Sequence, residues 1–482
     1  MTTGAASRSE AYLQRMARAE RRLAEHAARP LPAALTVPDA GGTERWQAGQ
    51  VWAHVAEFPG YWMGQLRSIL EARAAGRPEP IPFGRSKADE ERIAAIERER
   101  RTSPGELLRR VTADLAQASA SLAALPAEAW EARGLHPTLG EMPLDAIVER
   151  FVVGHLEEHA DQLDLLVLVP LDEIRAAAAR IRGAAVRTPL LRWDDRTWLK
   201  PESLQPVGAF KMRGAYNAVA SLTDEERSRG VVTYSSGNHA QAVARAARLL
   251  GARATIVMPQ NAPQVKVEGV RRDGAEIVFT GPGSEERHRI ALELVERNGS
   301  VMIEPYDDAR IIAGQGTAGL EIAEDLPDVT CVLIPVSGGG LSSGIATAVK
   351  SLAPSARIIG VEPELAADAR DSLAAGEIVS WDASLTTRTE ADGLRVEHLG
   401  WLPFIHLRQY MDEIVTVSEE AMADAIRQLA FGARLVVEPS GAAAMAAHLS
   451  GAASQAEGDD RRVIVISGGN IDPARLATIL AG

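Results

Sequence analysis

Up to about residue 168, apolar residues recur at three- and four-residue spacing; beyond residue 170 they come in short, uninterrupted runs. The first pattern puts apolar side chains on one face of a helix and predicts helices over 9–26, 51–72, 88–101, 104–125 and 143–168. Glycine and proline clusters such as Arg77-Pro78-Glu79-Pro80, and Pro126, punctuate them. Antiparallel helices with moderate loops pack most economically as a bundle. Pro170 ends the last of them, because proline disfavours helical geometry in the residue before it. The second pattern is β-branched runs at 231–234, 254–258, 276–279, 331–335, 358–361 and 463–466, alternating with alanine-rich helical stretches and glycine turns. Strand–helix alternation of this kind predicts an α/β, doubly wound, mostly parallel sheet. The expected organisation is therefore two domains, 1–169 and 170–482.

Composition narrows the partners. Of 482 residues, 46 % are hydrophobic and 24 % charged, which describes a globular chain with ample core. Aspartate and glutamate outnumber lysine and arginine 65 to 52, for a net charge of −13. That balance argues against a nucleic-acid partner and an anionic membrane surface, both of which need a basic face. The single cysteine, Cys331, excludes a disulfide framework, and its place at the head of a strand reads as packing. No signal core or membrane-length apolar run is present, so the expected location is the cytoplasm.

Four segments carry candidate chemistry. Lys211 lies in KPESLQPVGAFKMRGA, at what should be the start of a helix; by itself it reads as a solvated lysine, and the segments that follow change that reading. Ser235-Ser236-Gly237-Asn238-His239 follows a strand and opens a helix, so its backbone N–H groups form an anion site suited to a carboxylate. Ser337-Gly338-Gly339-Gly340-Leu341 has the same strand-to-helix setting and suits a phosphate. Ser467-Gly468-Gly469-Asn470 follows the last strand. In open α/β sheets such loops converge at the carboxyl ends of the strands. A lysine, a phosphate cradle and a carboxylate cradle are the parts that a pyridoxal 5'-phosphate enzyme needs.

From about Leu171 onward the chain resembles the threonine dehydratase and serine racemase branch of the fold type II (tryptophan synthase β-like) pyridoxal phosphate enzymes. The resemblance implies that Lys211 holds the cofactor as a Schiff base with Phe210 against the ring. It implies Asn238 at the phenolic oxygen, and Gly338, Gly339, Gly340 and Leu341 around the phosphate. Gly393, in ADGLR, would border the ring and Ser467 would face the pyridine nitrogen. Ser235, Ser236, Gly237, Asn238 and His239 would bind substrate, with Ser236 also a candidate acid/base. The pattern Glu438-Pro439-Ser440-Gly441 completes the likeness. The chain departs from the family at Val207, Ala209 and Ser337, where threonine, serine and glycine are usual.

A serine hydroxyl cannot protonate the pyridine nitrogen as a carboxylic acid would, so the ring is a weaker electron sink. This favours β-elimination of L-threonine or L-serine to a 2-oxo acid and ammonia, with Lys211 taking the Cα proton. Racemisation of serine or a related hydroxy amino acid, and dehydration of 3-hydroxyaspartate, are the alternatives. The branch also implies a homodimer or homotetramer acting on a small-molecule amino acid.

Two metal sites are expected. Glu362-Pro363-Glu364-Leu365-Ala366-Ala367-Asp368 reads either as a solvated acidic turn or as oxygen ligands for a hard cation. Metal-activated members of the branch imply the second, with Mg²⁺, Mn²⁺ or Ca²⁺ on Glu362, the Ala366 carbonyl and Asp368. In the helical half, His155 and His159 are four apart and share a face, and His54 lies in an earlier helix. They are either ordinary surface or core histidines or a facial site for Zn²⁺ or Ni²⁺. WAHVAEF followed by GHLEEHADQL resembles DinB-like four-helix bundles related to mycothiol-dependent isomerase N-terminal domains. That likeness implies the metal triad His54, His155 and His159, and a low-molecular-weight thiol as partner. His26 and His136 fit no pattern and are expected at the surface. A reading of another class makes the metal- and thiol-binding bundle the working part.

Overall fold

The computed structural model describes residues 3–482 except 38–43, 87, 236, 263, 282 and 454–459. Ser236 therefore lies outside the described residues. Two compact units are present, Met1–Leu168 and Val169–Gly482.

In the first unit the helices Thr3–Ala27, Ala48–Ala74, Pro104–Ala123 and Gly154–Val167 surround one apolar core that includes Leu23, Trp52, Phe58, Leu107, Val111 and Leu156. The apolar stretch at 88–101 forms the helix Glu90–Glu99, which starts where Asp89 accepts a bond from the Arg92 amide at 2.9 Å. The stretch at 143–168 is not one regular helix. It runs as Leu144–Val148, then a π turn over Glu149–Val153, then Gly154–Val167. A Cβ at Gly154 would lie 2.8 Å from the Glu149 carbonyl oxygen, so glycine lets the π turn close just before His155. A small sheet of Ile81–Pro82, Arg133–His136 and Gly140–Pro143 joins the helices. Its strands, two to four residues long, are too short to show an alternating pattern in sequence.

Two histidines depart from expectation. His26 is 6 % exposed and bonds Asp164 Oδ1 at 2.6 Å; His136 is 5 % exposed and stacks on Phe151 at 5.1 Å. Neither is a surface residue, because each finds a tertiary partner on another element, Asp164 for His26 and Phe151 for His136.

The second unit holds two sheets. The larger runs Glu413–Val417, Arg357–Pro363, Cys331–Pro335, Arg462–Ile466, Thr197–Pro201, Leu191–Arg192, parallel except at the last pair. The smaller, all parallel, runs Glu276–Thr280, Ala254–Pro259, Val231–Tyr234, Val301–Met302. Helix Ala309–Asp325 packs against both Lys211–Ala220 and Gly340–Leu352 in this unit.

A buried ion cluster anchors the helix that begins at Lys211. Arg213 contacts Glu202 at 2.7 Å and Glu321 at 2.7 Å, and Lys200 contacts Glu321 at 2.6 Å. Thr188 and Gln205 donate to Glu202 at 2.7 and 3.1 Å. All of these charges have partners, the condition under which burial of ions is tolerated.

Candidate active site

The loop before Lys211 turns at Gly208, whose φ of +71° favours glycine; a Cβ there would also lie 2.6 Å from Asn470 Oδ1. The chain then passes beside the last strand, where the Phe210 amide donates to the Ser467 carbonyl at 3.0 Å. Lys211 follows as the first residue of its helix. Its amine donates to the Pro305 carbonyl at 2.7 Å and stands 5.2 Å from the centre of the Phe210 ring. Burial without an anionic neighbour lowers its pKa to about 8, so a neutral, nucleophilic amine is accessible near physiological pH.

The loop at 235–239 opens the helix Asn238–Leu249. Ser235 Oγ accepts from the Gly237 amide at 3.2 Å. Asn238 donates through Nδ2 to Glu438 Oε1 at 2.5 Å and accepts at Oδ1 from Asn470 Nδ2 at 2.9 Å. His239, 2 % exposed, lies 3.2 Å by Nε2 from the Ile303 carbonyl, so that nitrogen carries the proton and Nδ1 is a bare acceptor. Burial, then the Lys211 charge, lowers its pKa to about 3. His239 is thus a neutral group that anchors the loop, not a cation facing an anion.

The helix Gly340–Leu352 starts from Gly339, at φ +92°. A Cβ on Gly338 would lie 2.3 Å from the Tyr306 ring, and one on Gly339 would lie 2.6 Å from Pro403. Only glycine fits both positions, and the helix-start amides of Gly340 and Leu341 follow at once. Ser467, 5 % exposed, donates to the Ser440 carbonyl at 3.4 Å, and the Gly393 amide donates to Ser440 Oγ at 2.8 Å. Ser440 is thus the link between two loops that sequence spacing left separate.

Comparison with known proteins decides the family. Residues 181–468, more than half of the chain, match the family described as pyridoxal-phosphate dependent enzyme. The chain belongs to the pyridoxal-phosphate dependent enzymes. It is 43 % identical over 313 residues to an L-threonine ammonia-lyase of Thermotoga maritima, covering 63 % of this chain and 76 % of that one. It is 39 % identical over 325 residues to an L-threo-3-hydroxyaspartate ammonia-lyase of Saccharomyces cerevisiae, covering 66 % and 98 %. Maize serine racemase superposes with a TM-score of 0.60 at 39 % identity, covering 65 % of this chain and 97 % of that one. The second unit thus has the type II fold of these enzymes. Residues 15–163 match the DinB superfamily.

The residues of this pyridoxal-phosphate dependent enzyme fit the cofactor. The Lys211 amine has a lowered pKa and a single carbonyl partner, and the Gly338–Gly340 turn presents backbone rather than side chains at a helix start.

The two metal sets differ in kind. Glu362 and Asp368 are each 1 % exposed. Glu362 accepts from the amides of Ala369 at 3.0 Å and Arg370 at 2.8 Å, whereas both Asp368 carboxylate oxygens are buried with no hydrogen-bond partner among the described residues. Burial, then the Asp368 charge, raises the Glu362 pKa; burial pushes Asp368 up to about 7. Ala366, also 1 % exposed, sits between them in sequence. In the first unit His54 Nε2 lies 3.0 Å from His155 Nε2, which lies 3.2 Å from His159 Nε2. The other ring nitrogens face outward: His54 Nδ1 stands 3.5 Å from Glu57, His155 Nδ1 3.5 Å from Glu158, and His159 Nδ1 2.9 Å from Gln162 Oε1. Arg85 grips Glu57 at 2.5 and 2.6 Å. Burial and the neighbouring imidazoles depress His54 and His159, the latter to about 3, so both are neutral donors. The Nε2 atoms converge as ligands of one ion would, and of the Nδ1 atoms behind them that of His159 has an oxygen hydrogen bond while those of His54 and His155 have carboxylates at ion-pair distance.

Sequence reasoning assigned no role to Lys266, Asp392 or Tyr306. No local signal marks them, because their place comes from tertiary contacts: Lys266 meets Asp392 across 126 residues, and the Tyr306 ring lies against Gly338. Among the described residues no helix is long and apolar enough to cross a membrane.

Proposed function

We propose that this chain is an ammonia-lyase that dehydrates and deaminates L-threonine or L-serine to a 2-oxo acid and ammonia, with domains at 1–169 and 170–482. The observation that carries this reading is the Lys211 amine, whose one hydrogen-bond partner among the described residues is the Pro305 carbonyl, together with the 235–239 loop and the Gly338–Gly340 turn. Bound at Lys211, the pyridoxal phosphate ring supplies the electron sink that allows the Cα–H bond to break. Lys211 takes the Cα proton. Gly338, Gly339, Gly340 and Leu341 hold the phosphate by backbone amides, and Phe210 and Gly393 border the ring. Ser467 presents a hydroxyl to the ring nitrogen, and Asn238 gives its remaining N–H to the phenolic oxygen. Ser235, Ser236, Gly237 and Asn238 hold the substrate carboxylate, with His239 setting the loop from behind, and Ser236 stands as the candidate second acid/base.

A second reading, 3-hydroxyaspartate dehydration or racemisation of a hydroxy amino acid, is favoured by the names of the yeast and plant relatives. Protein reconstituted with pyridoxal phosphate and Mg²⁺ separates the two when given L-threonine, L-serine, D-serine and 3-hydroxyaspartate singly. Stoichiometric 2-oxo acid and ammonia from threonine or serine is the expected result. Inverted amino acid without ammonia would overturn the lyase reading, and release from 3-hydroxyaspartate alone would move its substrate.

The orphaned Asp368 oxygens support a Mg²⁺, Mn²⁺ or Ca²⁺ ion on Glu362, the Ala366 carbonyl and Asp368, and the convergent imidazoles support Zn²⁺ or Ni²⁺ on His54, His155 and His159. Three protein ligands leave a position open for a low-molecular-weight thiol. Elemental analysis should show the transition metal lost from His155→Ala and retained in Asp368→Asn, with pyridoxal phosphate bound in both. Equal transition-metal content in His155→Ala and the parent would remove the triad. A cytoplasmic homodimer or homotetramer completes the proposal.

A further inference from the structure

Glu438 is the first residue before the helix Pro439–Ser450, a place where a short polar side chain ordinarily caps the helix. Its side chain makes no capping bond. It turns instead toward Asn238, and Oε1 accepts from Asn238 Nδ2 at 2.5 Å. Gly468 makes room for this: a Cβ there would lie 2.1 Å from Glu438 Oε1. The carboxylate is 2 % exposed, and Oε2 is buried without a hydrogen-bond partner, 3.7 Å from Lys266 Nζ. Lys266 is itself 3 % exposed, lies 2.5 Å from Asp392 Oδ2, and sits 3.4 Å from where a Gly237 Cβ would be, beneath the loop that carries Asn238.

These contacts define the Asn238 amide. Asn470 spends one N–H on the Val207 carbonyl at 2.8 Å and another on Asn238 Oδ1, which fixes the oxygen side. Glu438 takes one N–H on the nitrogen side, and the other has no partner among the described residues, which leaves it for a ligand. A neutral acceptor would orient the amide equally well. Burial pushes the Glu438 pKa up to about 7 against the pull of the Lys266 ammonium, so the carboxyl is charged from about pH 7 upward, a costly arrangement unless that charge matters.

We propose that Glu438, paired with Lys266, is a positioning residue that orients Asn238 toward the cofactor's phenolic oxygen and sets a negative charge behind that contact. The proposal rests on Asn238 facing that oxygen. A negative charge there favours the protonated form of the Lys211 nitrogen joined to the cofactor, and Lys266 acts only through Glu438. The readout is the pH midpoint of the visible absorption band of the holoenzyme, which follows that proton. Glu438→Gln keeps an acceptor for Asn238 and removes the charge, and is expected to lower the midpoint by roughly one pH unit, a tenfold change in the proton equilibrium. Lys266→Met should lower it in the same direction, because the unpaired carboxyl then takes up a proton. The double variant should fall no further than Glu438→Gln alone, and Lys266→Arg should restore the parent midpoint.

Asn238→Ala separates the two layers of the argument. If it moves the midpoint and Glu438→Gln does not, the role of Glu438 is overturned while Asn238 stands. If Asn238→Ala leaves the midpoint unchanged, the placement of Asn238 fails and this proposal with it. Additive shifts in the double variant would overturn the action of Lys266 through Glu438.

Discussion

Lys211→Ala is expected to lower 2-oxo acid release by at least about a thousandfold, since one residue both holds the cofactor and moves the Cα proton. Among the described residues, neither His239 nor Lys266 can take over both tasks. His239 is kept neutral by burial, and its proton is committed to the Ile303 carbonyl. The Lys266 amine is held by Asp392 and faces Glu438. Oxo acid and ammonia are measured together on variant and parent at matched cofactor concentration, with thermal melts to verify that the variant is folded. Activity within tenfold of the parent would take Lys211 out of the mechanism. Metal and thiol binding at the first unit should be unchanged, and survival of the physiological activity with it would make the bundle the working part.

Arg213→Met is expected to destabilise the second unit by about 3–5 kcal/mol, because removing one member of a buried ion cluster leaves the others charged and unpaired. Glu202, 0 % exposed, would keep only the Thr188 and Gln205 hydrogen bonds, and Glu321 would keep Lys200 alone among its charged partners. The exposed pair of Arg192 with Asp195 is the comparison: Arg192→Met should cost about 0–1 kcal/mol, since solvent screens both groups. Denaturant unfolding of the full chain, followed through signals of the second unit, measures both. Similar losses in the two variants would mean that the cluster does not anchor the helix. As Arg213 lies two residues from Lys211, cofactor affinity is expected to fall with stability.

Much of the candidate site was legible in the sequence. The glycine loops announced themselves because a strand-to-helix turn with no side chains has few other uses, and Lys211 stood out beside them. His155 and His159 shared a face by helical spacing alone, and the structure brings His54 to them by packing Ala48–Ala74 against Gly154–Val167. The same spacing could not reveal the π turn at Glu149–Val153, which depends on a single extra residue in a turn. Nor could it place His26 and His136, whose burial comes from Asp164 and Phe151, more than a hundred and about fifteen residues away respectively. The parallel sheet was likewise expected, but its division into a six-stranded and a four-stranded sheet was not, since strand pattern reports burial and not which strand lies next.

The sequence by itself determined the alternation of strands and helices, the placing of glycine at the strand-to-helix turns, and the order of the four candidate site segments. These follow from residue types and their near neighbours, because dihedral preference and side-chain periodicity are local. Tertiary structure alone decided which groups are charged, paired or orphaned. It gives Lys211 a carbonyl partner and no anion, leaves the Asp368 oxygens bare, seals Arg213 among carboxylates and turns Glu438 from its own helix toward Asn238. Protonation and hydrogen bonding depend on burial and on partners brought from distant parts of the chain, so they exist only once the chain has folded.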